Sequence, residues 1–78
     1  MDFKQATDRL LATLPHEDLA KALGVSVPAI RQARLRDGAR ARRNPPAGWR
    51  AIVIRIAEER VWHYRRLIED LQADNREE

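Results

Sequence analysis

The sequence predicts an all-α fold, and three observations carry that expectation. Residues 2–14 hold an apolar stripe at helical spacing. Residues 16–35 read as two short helices jointed at a glycine. From Pro46 to about Ala73 apolar residues recur every three or four positions, the pattern of one long helix. The 78 residues divide into a first region, 1–38, a basic and proline-rich connection, 39–48, and a long C-terminal helix with an acidic tail, 49–78. Together they are expected to form one compact domain, with a core small enough that association with a second copy is a common remedy.

The first helix is expected over residues 2–14, with Asp2 as its cap. Phe3, Ala6, Leu10, Leu11 and Leu14 form its apolar stripe, and Lys4, Gln5, Asp8 and Arg9 lie outside. Its expected task is to cover the back of the next two helices, and Pro15 breaks it. The second helix spans His16 to Leu23, with Glu17 and Asp18 in the first turn, where acids suit the helix dipole. Leu19 and Leu23 face inward with the small Ala20 between them. Gly24 ends this helix, since glycine enters the left-handed conformation cheaply, and Val25 is buried in the turn. Ser26 offers a hydroxyl cap to a third helix that carries Pro28 in its first turn and continues to about Arg36. Ile30 and Ala33 face inward. Val27, Pro28, Arg31 and Gln32 are left facing out.

Ala20, Gly24 four residues on and Ile30 six after that, with Leu19, Leu23 and Val25 as buried partners, form a spacing that resembles the DNA-binding helix-turn-helix of the phage-repressor (Cro/CI-like) families. A small residue lets two helices cross closely, glycine allows the sharp turn, and the branched residue wedges one helix on the other. The match covers about twenty of the 78 residues. It implies that residues 1–38 are a DNA-binding region and that the third helix is the recognition helix. Ala33 departs from the family pattern, where a larger aliphatic residue is commoner; this leaves the tilt of the recognition helix open.

Charge supports a polyanionic partner. Formal net charge is only +3, yet residues 30–50 hold seven arginines, no lysine and one acid, Asp37. Residues 68–78 hold five acids and one arginine. The basic block is expected to face phosphates and the acidic tail to face away. Arginine is favoured where phosphates or guanine edges are held by paired donors. Arg31 is the candidate for a guanine. Gln32 suits an adenine or a phosphate, Val27 and Pro28 a thymine methyl, and Ser26 a phosphate. Arg34, Arg36, Arg40, Arg42 and Arg43 are candidates for phosphate contacts, one of them for a narrow minor groove. Asp37-Gly38 reads as a turn, and residues 39–44 read as a basic loop.

Asn44-Pro45-Pro46-Ala47-Gly48 leads into the last helix, expected to start near Pro46. Trp49 is expected to plug its junction with the motif. One stripe, Trp49, Ile52, Val53 and Ile56, suits packing on the motif. A second, Ile54, Ala57, Val61, Tyr64, Ile68 and Leu71, is a heptad seam with no partner left in so short a chain, so it is expected to form a homodimer interface about a two-fold axis. Trp62 and Leu67 are expected to flank it, and the last five residues to fray.

Cysteine is absent, which excludes disulfides and thiolate metal sites. His16 and His63 lie far apart, and no nucleophile–base pair, paired carboxylates or phosphate-binding glycine loop suggests an enzyme. Neither cofactor, metal nor small-molecule ligand is expected. With no signal peptide and no membrane-length apolar run, the expectation is a cytoplasmic protein, on the nucleoid when DNA-bound. The expected function is a sequence-specific, homodimeric transcriptional regulator, most simply a repressor on a palindromic operator. The alternatives are an antitoxin-like protein-binding module that also binds its own operator, and a non-specific architectural nucleic-acid binder.

Overall fold

The computed structural model describes residues 1–36 and 38–77, with backbone alone for the last three; Asp37, half of the expected turn, lies outside them. The described residues form four helices and no strand: α1 Phe3–Leu11, α2 His16–Leu23, α3 Val27–Ala33 and α4 Trp49–Glu77. The all-α expectation is met.

α1 starts at a reciprocal cap. The Asp2 carboxylate accepts from the Gln5 N–H at 2.8 Å, and the Gln5 side chain accepts from the Asp2 N–H at 3.0 Å. Its buried face is Phe3, Thr7 and Leu10, with Ala6 and Leu11 only half-buried. Thr7 is fully buried and was not expected in the core; its hydroxyl is satisfied by donating to the Phe3 carbonyl at 2.7 Å. α1 ends at Leu11 rather than Leu14, yet Leu14 is still buried from the turn that follows.

α2 has the expected bounds. Gly24 takes φ 71° and ψ 30°, and the Val25 N–H reaches back to the Ala20 carbonyl at 3.0 Å, closing the helix end. Val25 is half-buried rather than buried. Leu19 and Ile30 are fully enclosed and Ala20 and Ala33 nearly so, which is what brings α2 and α3 together. α3 is shorter than expected. It stops at Ala33, with Arg34 as its cap, because the Arg34 side chain is drawn to α1 and the Arg43 N–H takes up the Gln32 carbonyl at 3.2 Å.

α4 begins three residues later than expected. Gly48 sits at φ 74°, so Pro46, Ala47 and Gly48 form a turn and the helix starts at Trp49. It also runs to Glu77, past the expected end near Ala73. Trp49, Ile52, Val53 and Ile56 pack on the core formed by α1–α3, as the first stripe predicted. Trp49 meets Phe3 of α1 edge-to-face at 5.1 Å.

The shape differs from the expected compact domain. The chain measures 60 × 19 × 18 Å, and its radius of gyration of 16.4 Å exceeds the roughly 11.5 Å of a compact chain of this length. A small head is built from α1–α3 and the start of α4. The rest of the 29-residue α4 projects from it. Among the described residues no helix is long and apolar enough to cross a membrane.

Candidate nucleic-acid interface

The outer side of α3 is set by its cap. The Ser26 hydroxyl oxygen accepts from the Ala29 N–H at 3.2 Å, which fixes the first turn and leaves the hydroxyl hydrogen free to donate outward. Ser26, Pro28 and Arg31 are exposed. Val27 is not wholly outward as expected: it is half-buried and packs against the core. Gln32 is half-buried as well, and its carbonyl receives both the Leu35 and the Arg43 N–H. Exposed Arg31 therefore has the longest polar reach on α3.

Arg34 is turned inward, onto α1 and α2. It pairs with Asp8 on α1 and donates through Nη1 to His16 Nε2 at 3.3 Å, with its side chain mostly covered. Its Nε is buried without a hydrogen-bond partner. The expected phosphate contact is in fact a clamp across α1, α2 and the end of α3. Asp8 also binds Lys4 at 3.0 Å. Hydrogen bonds from Lys4 first, and from Arg34 second, hold the Asp8 carboxyl below its ordinary value.

The basic loop is folded back on the end of α3. Ala39 N–H donates to the Arg36 carbonyl, Arg42 N–H to the Ala39 carbonyl, and Arg42 Nε to the Leu35 carbonyl at 3.2 Å. Arg42 is half-buried and serves to hold the loop. Arg36, Arg40 and Arg43 are exposed. The loop and helix together therefore present Arg31, Arg36, Arg40 and Arg43 to solvent, while Arg34 and Arg42 brace the scaffold.

Two cations outside the expected set join this surface. Lys4 and Arg50 line an open cleft with Arg36 and Arg42, of about 440 Å³, between the start of α1, the end of α3 and the start of α4. The Arg50 guanidinium lies over the Trp49 ring, 4.6 Å from its centroid. Arg50 belongs to the arginine block of residues 30–50, which was the available signal; Lys4 had none. The cleft carries four cations against the single acid Asp2, so its lining is basic. Among the described residues no group of three or more His, Cys, Asp or Glu side chains is placed to hold a metal ion.

The six seam residues Ile54, Ala57, Val61, Tyr64, Ile68 and Leu71 are all exposed, as are Trp62 and Leu67. Trp62 meets His63 edge-on at 5.1 Å.

No protein-family model, curated protein or solved structure matches this chain.

Proposed function

We propose that this chain is a sequence-specific, double-stranded-DNA-binding transcriptional regulator that acts as a homodimer, most simply a repressor occupying a palindromic operator. The observation that carries the reading is the pairing of a glycine-jointed α2–α3 corner with an outward Arg31 and a row of exposed arginines just beyond α3. α3 is narrow enough for a major groove, which admits one helix. Arg31 offers two parallel donors to guanine O6 and N7, and Pro28 an apolar contact to a thymine methyl. Ser26 holds a phosphate beside the groove, and Arg36, Arg40, Arg43 and Arg50 hold the strands on either side. Repression is steric: a dimer over a promoter excludes the polymerase. No small-molecule ligand enters this mechanism, so control lies in protein level or in a protein partner.

The exposed seam also favours a second reading, in which a different protein covers α4 and the chain is antitoxin-like. The deciding experiment is selection of bound fragments from genomic DNA, followed by binding to the selected site and to random duplex across a salt series. The regulator reading expects a selected palindrome and at least a thousandfold preference for it. Equal displacement by any duplex would leave only an architectural role. No binding at low salt would remove DNA altogether.

A further inference from the structure

We propose that α4 pairs antiparallel with α4 of a second copy, about a two-fold axis between residues 62 and 63. This deepens the dimeric reading above and rests on it, but not on DNA binding. The seam places Ile54, Val61 and Ile68 at the first core position of successive heptads and Ala57, Tyr64 and Leu71 at the second. In an antiparallel pair these two kinds of position face each other. The whole seam then closes in a single register: Ile54 on the partner's Leu71, Ala57 on the partner's Ile68, Val61 on the partner's Tyr64, each met twice by symmetry.

Charge decides the direction. Beside the seam, Glu58 and Arg65 occupy one flanking position, and Val53, Arg60 and Leu67 the other. A parallel pair sets Arg60 against the partner's Arg65, two like-charge contacts and no opposite-charge one. The antiparallel pair sets Glu58 against the partner's Arg65, two opposite-charge contacts, and lays Arg60 along the partner's Leu67.

The head supplies a second argument. On the Val53 side of the seam, α1 and α4 leave a shallow groove of about 390 Å³ lined by Met1, Ala6, Arg9, Leu10, Val53 and Ala57. Only the antiparallel register brings the apolar tail residues, the partner's Leu67 and the partner's Leu71, alongside this groove. The arrangement also sets the two heads about 20 residues apart along the helix axis, or about 30 Å. That is close to the one-turn separation, about 34 Å, of two half-sites on B-form DNA.

The chain has no cysteine, so single thiols report cleanly. Ile54→Cys and Leu71→Cys, both at exposed positions, are made separately and oxidised in a glutathione buffer, alone and mixed. The antiparallel dimer gives a disulfide-linked dimer only in the mixture, because like positions are about 25 Å apart, far beyond disulfide reach. Covalent dimers from each variant alone would overturn the orientation. Arg65→Glu gives an independent sign: it raises the dimer dissociation constant several-fold if Glu58 is its neighbour, and lowers it if Arg60 is. Light scattering of the wild type separates the two failures, since a monomer at tens of micromolar removes the dimer itself, whatever DNA binding shows.

Discussion

At the scale of single residues, arginines that look alike in the sequence separate into two kinds. Arg34 and Arg42 are spent on the protein, through Asp8 and His16 in one case and the Leu35 carbonyl in the other. Arg31 is left outside. Arg31→Ala should cost about 1–3 kcal/mol on the selected operator and much less on random duplex, measured by titration of both. Neutralising exposed Arg40 and Arg43 should weaken both DNAs alike and lower the salt slope by about one unit for each phosphate no longer neutralised. Arg34→Met should instead lower the melting temperature and leave the operator preference intact. Asp8 sets a pH dependence. Its folded value lies below the ordinary 3.8, so its contribution is present above that value and is lost as pH falls through the lowered one. The melting temperature should fall below about pH 4, and Asp8→Asn should shrink that fall; an unchanged acid limb would show that Asp8 contributes nothing. Helical spacing sets Arg34, four residues after buried Ile30, toward the inner side and Arg31 outside, but the acid that holds Arg34 lies 26 positions away. Thr7 was hidden for a related reason: it completes the Phe3, Thr7, Leu10, Leu14 stripe, but as a polar residue it counts inward only once its hydroxyl has found the Phe3 carbonyl.

At the scale of elements, helix starts and stops were legible wherever a residue acts on its own neighbours. Asp2, Gly24 and Ser26 all do so, and α2 kept both of its expected bounds. The boundaries that moved depend on distant groups or on a backbone state open to several outcomes. α3 ends early because Gln32 receives the returning Arg43 N–H, and α4 starts late because Gly48 takes a positive φ. The Gly24 joint is a sharp test. A Cβ there meets nothing within 4 Å, so Gly24→Ala should cost only the left-handed backbone penalty, about 1–2 kcal/mol in chemical denaturation. A larger loss would mean that the corner itself rearranges. Ile30→Ala, in the fully enclosed wedge between α2 and α3, should cost about 2–5 kcal/mol.

At the scale of the whole molecule, the two stripes of α4 have different fates: one is covered by the head, and the other is bare along its length. Both stripes, and the packing of the first on the motif, were legible as apolar periodicity, but how far the second runs past the head needed the shape of the head, which ends well before Leu71 does. Val61→Asp or Ile68→Asp should abolish the proposed dimer by placing a charge in the seam, read as a monomer in sedimentation with the head still folded.

Under the proposed pairing, the projecting half of α4 would make the protein sensitive to its own abundance. Among the described residues nothing outside α4 packs on this helix beyond Tyr64, and an isolated stretch of some 12–15 residues is marginal as a helix in water. In the proposed dimer, order there is tied by mass action to association. On dilution, far-ultraviolet circular dichroism should fall before the head melts, and trypsin should cut first after Arg65 and Arg66. A cell that makes little of this protein would hold a frayed, protease-sensitive form, and one that makes more would hold a resistant one. Pairing of the projecting helix, as proposed, would thus convert a graded rate of synthesis into a difference in lifetime.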